Sequence, residues 1–317
     1  MSEIPLDINR DSLKAVLSNI RKVYFGDLQP VRKLLICLLS GGHVLIEDVP
    51  GVGKTTLAQA LALSVDCKFN RIQLTPDLLP SDITGVNIYN THDNNFDFKP
   101  GPIFCNIVLA DEINRTTPRT QSALLEAMCE QQVSIDGTTH PLPEPFMVLA
   151  TQNPFEFEGT YFLPENQLDR FMMRIVLGYP DRESELRILS QEPSMNILHL
   201  LEPVIKAEEI VHLQKEIPKV EMDERITDYL MDIVEGTRNH PDLLVGASPR
   251  AALALQRAAK ASAVLANRDY CLPDDVKSFV LPVFSHRIIS KKFAHEPTRQ
   301  NCDHLLEQIL KTVATPT

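Results

Sequence analysis

The fold of this chain is decided by one short stretch, Asp48-Val49-Pro50-Gly51-Val52-Gly53-Lys54-Thr55. The apolar run Val44–Ile46 precedes it, and the helix-forming run Thr56–Leu63 follows it. A buried strand that enters a glycine turn and leaves as a helix is the context of a phosphate-binding loop. Backbone N–H groups of such a turn and of the helix N-terminus point towards a polyphosphate. A chance glycine turn is the alternative, and the flanking runs argue against it.

The residue types within this stretch predict a nucleotide site with a metal ion. The consensus is G-x-x-x-x-G-K-[ST], so Lys54 would reach the β- and γ-phosphates and the Thr55 hydroxyl would bind Mg²⁺. Asp48 stands where the consensus has glycine, and we expect it to be tolerated because the later glycines still allow close backbone approach. The predicted nucleotide contacts are Gly51, Val52, Gly53, Lys54, Thr55 and Thr56.

Length and composition are those of a folded chain with room for two domains. The chain has 317 residues, of which 44% are hydrophobic and 23% charged. The longest apolar run, Leu34–Leu39, is too short for a membrane span, and the acidic N-terminus is unlike a secretory signal. The six cysteines form no C-x-x-C pair, which favours free thiols in the cytoplasm and gives no metal-ligand spacing. The net charge of −11 and the pI of about 5.3 disfavour a nucleic-acid partner.

Strand and helix patterns alternate in the first part of the chain. Apolar or alternating runs predict strands at 43–47, 69–74, 107–110, 146–150 and 174–177. Helical spacing in the same part predicts helices at 10–22, 29–39, 56–63 and 118–130. Two polar turns between short runs predict β-hairpins at 86–99 and 132–146. The alternation predicts an α/β fold with a parallel sheet.

The character of the sequence changes near Gly178-Tyr179-Pro180. Beyond this point we find helical patterns only, at about 181–191, 205–217, 222–236, 249–266, 273–280 and 299–313. The division therefore predicts one domain over residues 1–180 and a smaller helical domain over residues 181–317.

An acidic pair follows one of the predicted strands. Asp111 and Glu112 come directly after the apolar run Ile107–Ala110. Ligands collect at the carboxyl ends of strands in open α/β sheets, so Asp111 would hold Mg²⁺ through water, together with Thr55. Glu112 would polarise a water molecule for in-line attack on the γ-phosphate. A solvated acidic strand end is the alternative, and the presence of the phosphate-loop stretch argues against it.

Five motifs resemble those of the MoxR family of AAA+ ATPases. In chain order they are Asp111-Glu112-Ile113-Asn114-Arg115, Gln121–Met128, Ala150-Thr151-Gln152-Asn153-Pro154, Leu168–Phe171 and Gly178–Arg182. The resemblance runs from about Val23 to about Pro282. It implies that residues 1–180 form an AAA+ nucleotide-binding domain with N-terminal helices and two hairpin insertions, and that residues 181–317 form its α-helical lid. It also implies ATP and Mg²⁺ as cofactors.

The resemblance implies catalytic roles for three residues besides Glu112. Asn153 matches sensor 1, which places the attacking water, although an Asn-Pro turn former is the alternative. Arg170 matches the arginine finger that acts on the ATP of a neighbouring subunit, and a structural arginine paired with Asp169 is the competing hypothesis. Arg250 matches sensor 2 in the first turn of a lid helix. A cation there opposes the helix dipole, which disfavours a merely surface role.

The resemblance also concerns three regions whose roles are less defined. The adenine packs near Val23–Gly26 in this family, which places Tyr24 and Phe25 beside the base. The family pattern there is closer to Val-Val-Gly-Gln, so this chain departs from it. Arg115 belongs to the signature, and we expect an intersubunit contact. For Phe96 and Phe98 of the first hairpin, packing and substrate contact both stay open.

The resemblance implies an Mg²⁺-dependent ATPase that assembles as a homo-oligomeric ring, a hexamer, and remodels a protein client. It further implies a chaperone-like role with a partner that carries a von Willebrand factor A domain. One alternative is a magnesium-chelatase-like motor subunit, against which the Asp111–Arg115 signature argues. Another is a nucleotide-gated scaffold with little turnover, against which Glu112 argues. A nucleic-acid motor is disfavoured by charge.

Overall fold

The sheet and helices are described by a computed structural model over residues 10–92, 94–153, 159–191, 195–291 and 302–316. The first part contains α1 (Arg10–Ile20), α2 (Leu28–Leu39), β1 (Val44–Glu47), α3 (Lys54–Ser64), β2 (Phe69–Gln73), α4 (Pro80–Thr84), β3 (Gly85–Asn90), β4 (Asn95–Pro100), β5 (Ile107–Asp111), α5 (Pro118–Glu130), β6 (Gln132–Ile135), β7 (Thr138–Pro141), β8 (Met147–Gln152), α6 (Glu165–Leu168) and β9 (Met173–Ile175). The second part contains α7 (Arg182–Gln191), α8 (Ala207–Glu216), α9 (Glu224–Asn239), β10 (Leu243–Val245), α10 (Pro249–Leu265), α11 (Pro273–Phe284), β11 (Ile289–Ser290) and α12 (Asp303–Thr312). The predicted α/β fold followed by a helical lid is confirmed.

Five strands form one parallel sheet in the order β2-β5-β8-β1-β9. β1 lies between β8 and β9, with Leu45 aligned to Ala150 on one side and Arg174 on the other. β5 lies between β2 and β8, so its last residue, Asp111, is aligned to Gln73. Strands of a sheet lie about 4.8 Å apart, so two strand spacings, about 10 Å, separate the ends of β5 and β1.

The central strands are buried on both faces. Val44 and Ile46 belong to the hydrophobic cluster that includes residues of α1, α2 and α3, whereas Leu45 belongs to the cluster on the opposite face with Leu124 of α5. Side chains alternate along a strand, so a strand covered on both faces needs apolar residues at every position. This explains why these strands read as continuous apolar runs in the sequence.

The two predicted hairpins are present, and they contact each other. Phe98 of β4 stacks on His140 of β7, with ring centroids 3.9 Å apart. Phe96 is instead 63% exposed and lies against Tyr89 of β3, with ring centroids 5.3 Å apart. Phe98 therefore serves packing between the hairpins, while Phe96 stays on the surface.

The lid shares a hydrophobic cluster with the helices that precede the sheet. Ala258 of α10 and Phe284 of α11 belong to the same cluster as Leu34 of α2. The lid also contains the short antiparallel pair β10–β11, whose strands are too short to show an alternation in the sequence. The predicted start of the last helix, 299–301, lies outside the described residues, and the division at residue 180 stays a prediction. Among the described helices, none has the length and hydropathy to cross a bilayer.

His43, which directly precedes β1, is a buried histidine held in one tautomer. Its Nδ1 accepts from the backbone N–H of Val148 at 3.0 Å, so Nε2 carries the proton and donates to the carbonyl of Met128 at 2.9 Å. Burial lowers the pKa of His43 from 6.5 to about 4, and the hydrogen bond to Met128 opposes this shift.

Acid should therefore destabilise the fold through His43. Its pKa is lower in the folded than in the unfolded chain, so its contribution to stability is complete above about pH 6.5 and is lost as the pH falls towards 4. Between pH 7 and pH 4.5 we expect the wild type to lose roughly 2–3 kcal/mol more unfolding free energy than His43→Gln. The glutamine side chain also carries one acceptor and a donor, and it does not titrate. Urea denaturation at both pH values measures the difference, and equal losses would contradict it.

Candidate functional site

The phosphate loop joins β1 to α3 through two glycines in the left-handed conformation. The φ angles are +86° at Gly51 and +88° at Gly53, a region that other residues enter only with strain. Gly53 is the N-cap of α3, and no side chain caps this helix. The N–H groups of the first helical turn have no acceptor within the helix and lie at its positive end. This arrangement suits a phosphate group.

Asp48 and Lys54 are joined by a hydrogen bond within the loop. Lys54 Nζ donates to the main-chain oxygen of Asp48 at 2.7 Å. The Asp48 carboxylate is buried and accepts from the N–H of Val49 at 2.9 Å and from those of Leu177 and Gly178 at 2.7 Å each. Asp48 is thus more than a tolerated departure from the consensus, because it bonds the loop to the end of β9.

Asp111 is held by two partners at the carboxyl end of β5. Its Oδ1 accepts from the Thr151 hydroxyl at 2.5 Å. Its Oδ2 forms an ion pair with Arg71 of β2, whose Nη2 lies 2.6 Å away. Arg71 Nε also donates to Oδ2, at 3.1 Å. A carboxylate offers about four lone-pair positions, and these hydrogen bonds occupy three of them, so one position remains for a metal-bound water.

Glu112 is held in a strained conformation beside Asp111. Its backbone is left-handed, with φ 61° and ψ 53°, which is uncommon for a residue other than glycine. The Thr151 hydroxyl accepts from its N–H at 2.9 Å. Its Oε2 accepts from Gln73 Nε2 at 2.8 Å and lies 3.4 Å from Arg115 Nε. The expected intersubunit role of Arg115 stays a prediction, and its observed partner is Glu112 of the same chain.

The donor set fits Mg²⁺ bound with a polyphosphate. Mg²⁺ usually keeps several waters and takes one or two protein oxygens besides the phosphates. Thr55 in the first turn of α3 and Asp111 at the end of β5 provide such oxygens at the same edge of the sheet. The described residues contain no group of three or more His, Cys, Asp or Glu that could hold a metal ion unaided. The two oxygens of Thr55 and Asp111 suit a metal ion that arrives with its phosphate ligands.

Asn153 and Tyr24 lie beside the same loop, and Phe25 directly follows Tyr24 in the chain. Asn153 directly follows β8, the strand between β5 and β1, and is half-buried. Pro154 of the same motif lies outside the described residues. Tyr24 is buried with its ring against the loop, since a Cβ built on Gly53 would lie 3.4 Å from it. The pKa of Tyr24 is raised to about 12, mainly by burial and to a lesser extent by the charge of Asp48. Phe25 is half-buried.

Arg170 lies on a different surface of the domain. Its Nη1 donates to the carbonyl of Leu125 in α5 at 2.9 Å. It lines a cavity of about 480 Å³ with residues of α5 and its surroundings, which are Ser122, Leu125, Glu126, Glu130, Gln132 and Gln167. None of these lining residues belongs to the phosphate loop.

Asp169 pairs with lid residues and not with its neighbour Arg170. The buried Arg287 lies after α11, and its Nε is 2.9 Å from Asp169 Oδ1. Arg287 Nη2 also donates to the main-chain oxygens of Asp169 and Phe171, at 3.2 and 2.7 Å. Burial lowers the pKa of Arg287 to about 10, and the charge of Asp169 opposes this shift. The described ion pairs of Asp169 are with Arg287 and Arg250, so the hypothesis of a pair between Asp169 and Arg170 is not supported.

Arg250 approaches the same carboxylate from the start of α10. Ser248 caps this helix by accepting from the Ala251 N–H at 3.1 Å, and its hydroxyl lies 3.3 Å from Asp169 Oδ1. Arg250 Nη1 lies 3.9 Å from Asp169 Oδ2, and its side chain is 61% exposed. The cap and the position of Arg250 in the first turn agree with the sequence-based expectation.

The fold thus brings the predicted residues together in two groups. The phosphate loop, Asp111, Glu112 and Asn153 follow three adjacent strands at one edge of the sheet. Arg250 lies instead near the Asp169 carboxylate, and Arg170, the next residue in the chain, donates to α5. Three partners of the acidic pair were missed in the sequence: Thr151, Gln73 and Arg71. Arg71 and Gln73 are alternate residues of β2 that share one face, which is a signal only once β2 is known to pair with β5.

Two family models match this chain. The model of the ATPase family associated with various cellular activities (AAA) matches residues 43–173. The model of the AAA lid domain matches residues 235–309. The first match runs from β1 through the phosphate loop to the start of β9, and the second runs from the last residues of α9 into α12.

Relatives of known sequence cover nearly the whole chain. YeaC of Bacillus subtilis (strain 168), described as uncharacterized, is 48% identical over 304 residues, which are 96% of this chain and 95% of that protein. Chaperone MoxR1 of Mycobacterium tuberculosis is 39% identical over 96% of this chain and 82% of that protein. Protein MoxR of Paracoccus denitrificans is 30% identical over 93% of each.

A solved structure has the same overall arrangement. The 2.00 Å crystal structure of a candidate ATPase from Cytophaga hutchinsonii superposes with a TM-score of 0.88. The two sequences are 43% identical, and the match covers 97% of this chain and 96% of that one.

The two arginines around Asp169 should differ sharply in their effect on stability. Arg287→Met removes a buried charge from its carboxylate and carbonyl acceptors, so we expect a loss of about 3–5 kcal/mol of unfolding free energy. The matched control is Arg250→Met, which removes an exposed charge near the same carboxylate and should cost less than about 0.5 kcal/mol. Urea denaturation measures both, and similar costs would contradict the conclusion that Arg287 holds the segment of Asp169 and Phe171 against the lid.

Proposed function

Because the chain belongs to the MoxR family of AAA+ ATPases, we propose that it binds ATP with Mg²⁺ and hydrolyses the bond to the γ-phosphate. One observation carries the proposal: Asp111 and Glu112 are fixed at the end of β5, at the same edge of the sheet as the phosphate loop. A binder without turnover has no need of a second, separately positioned carboxylate.

Each residue at this edge has a chemical task in the proposal. The segment from Gly51 to Thr56 binds the polyphosphate, while Tyr24 and Phe25 lie towards the base. Thr55 and Asp111 hold Mg²⁺, which when bound offsets charge on the β- and γ-phosphate oxygens. Glu112 accepts the proton of the attacking water, and Asn153 orients that water. Arg250 contacts the γ-phosphate from the lid.

We place Arg170 in the site of a neighbouring subunit. It lies in the α5 cavity, whose lining contains no residue of the chain's own phosphate loop. A guanidinium that reaches the γ-phosphate across an interface stabilises the transition-state charge. An arginine that acts on a neighbour's ATP requires a closed ring of subunits. We propose that this ring is a hexamer.

The work done with ATP is proposed to be remodelling of a protein client. The relative from Mycobacterium tuberculosis is named a chaperone, which supports this reading. A partner that carries a von Willebrand factor A domain would recruit the client. We place the protein in the cytoplasm, where its six free cysteines would stay reduced.

Glu112→Gln tests the hydrolytic role directly. The amide keeps the shape of the side chain but cannot accept the proton, so kcat should fall at least about 100-fold. The affinity for a fluorescent ATP analogue should stay within about threefold, because Glu112 does not hold the nucleotide. Phosphate release and equilibrium titration give the two values, each measured with Mg²⁺ and with a chelator.

Lys54→Ala is the control for that experiment, since it should lose affinity for the nucleotide itself. If the wild type and Glu112→Gln release phosphate equally slowly, a nucleotide-gated scaffold is the better hypothesis.

Mixing two inactive variants tests whether Arg170 acts between subunits. Arg170→Ala should bind ATP normally and hydrolyse it at least about 100-fold more slowly. Lys54→Ala keeps its arginine but binds no ATP. In a mixed ring, an intact site of the first variant can lie beside an intact arginine of the second, so activity should reappear on mixing.

Arg119→Ala is a suitable surface control, since this residue of α5 lies outside the cavity and should leave turnover unchanged. Full activity of Arg170→Ala alone, or of the wild type diluted to monomers, would contradict the role in trans.

A further inference from the structure

Asp48 is a buried carboxylate at the position where phosphate loops have glycine. It is 7% exposed, and within the described part of the chain its carboxylate accepts from three backbone N–H groups, those of Val49, Leu177 and Gly178. Two of these donors are 129 and 130 residues away in sequence. Glycine at this position could form none of these contacts, so the side chain adds a connection that the consensus loop lacks.

The segment that Asp48 holds is the connection from the sheet to the lid. Leu177 and Gly178 follow β9 (Met173–Ile175) and lead through Tyr179 and Pro180 into α7. Gly178 has φ +71°, so the chain turns sharply at the residue whose N–H Asp48 binds. Tyr179, the next residue, is 75% exposed. Asp48 therefore fixes the last buried point before the chain leaves the core.

The same residue also holds the lysine of the phosphate loop. Lys54 Nζ donates to the carbonyl of Asp48 at 2.7 Å, while the Asp48 carboxylate accepts from Leu177 and Gly178. The preceding residue, Glu47, also connects β1 to β9, because its carboxylate forms an ion pair with Arg174 at 2.9 Å. Arg174 in turn pairs with Asp303 of α12 at 3.0 Å. The end of β1 is thus joined to the lid by two adjacent carboxylates.

We propose that Asp48 is a positioning residue that couples the phosphate loop to the 177–180 connection. Through it, the position of the lid controls the placement of Lys54 on the phosphates, and nucleotide binding alters the connection in return. The inference rests on the proposed ATP hydrolysis. It predicts that the Asp48 carboxylate matters for turnover and much less for affinity, because the N–H groups of the loop still bind phosphate without it.

The kinetic test uses Asp48→Gly, which restores the consensus, in the full-length protein. We expect kcat to fall at least about tenfold while the dissociation constant of a fluorescent ATP analogue changes by less than about threefold. Asp48→Ala separates loss of the carboxylate from added backbone freedom and serves if the glycine variant folds poorly. Asp48→Asn is the conservative variant, because its amide oxygen can still accept from Leu177 and Gly178. It should retain kcat within about fivefold.

Amide hydrogen exchange gives a readout that a purely structural role would not produce. In the wild type, a non-hydrolysable ATP analogue should change the exchange of the Leu177 and Gly178 amides. In Asp48→Gly these amides should exchange at least about tenfold faster and should not respond to the bound analogue. In Asp48→Asn the response should persist.

The outcomes separate this inference from the function on which it rests. A wild type that neither binds nor hydrolyses ATP would refute the proposed function. A wild type that hydrolyses ATP, with Asp48→Gly equally fast, would overturn the coupling alone. So would wild-type amides at 177 and 178 that ignore the analogue, or a variant that loses affinity and turnover in parallel.

Discussion

The parallel pairing of β5, β8 and β1 is the constraint on which the site depends. The carboxyl ends of parallel strands lie at the same edge of the sheet, so the residues that follow these strands lie close together. The phosphate loop follows β1, Asn153 follows β8, and Asp111 ends β5. Burial on both faces fixes the strands, and the chain can carry unpaired polar groups only where it leaves that interior. Chemistry and packing are thereby separated along each strand.

Local features of the site could be predicted from the sequence, whereas its supporting contacts could not. A continuous apolar run and a glycine turn identify β1 and the phosphate loop, and the Asp-Glu pair after a second apolar run identifies the end of β5. Thr151 and Gln73, which hold that pair, come from strands whose neighbours depend on the order of the sheet. Periodicity reports which face a side chain takes but not which strand lies beside it. The lid pair β10–β11 was missed because it is too short to have a period.

Asp169 shows how sequence adjacency misleads about charge pairing. The neighbouring Arg170 is the obvious partner, yet the carboxylate binds Arg287, 118 residues further along the chain. A buried guanidinium needs several acceptors, and the carbonyls of this segment supply them where α11 lies against it. Arg170 donates instead to the main-chain carbonyl of the buried Leu125 in α5. Arg287 therefore connects Asp169 to the lid, while Arg170 connects the next residue to α5.

The edge strand β9 is the part of the sheet that is connected to the lid. Among the strands that the structure describes, β9 pairs only with β1. Arg287 holds the chain just before it, Arg174 within it reaches Asp303 of α12, and Asp48 holds the chain just after it. A lid that moves must therefore either break these bonds or displace β9, and β9 is paired with the strand that carries the phosphate loop. Asp169 and Arg170 lie four and three residues before the start of the same strand, so the ion pair of Asp169 with Arg287 also ties the lid to the segment that carries Arg170.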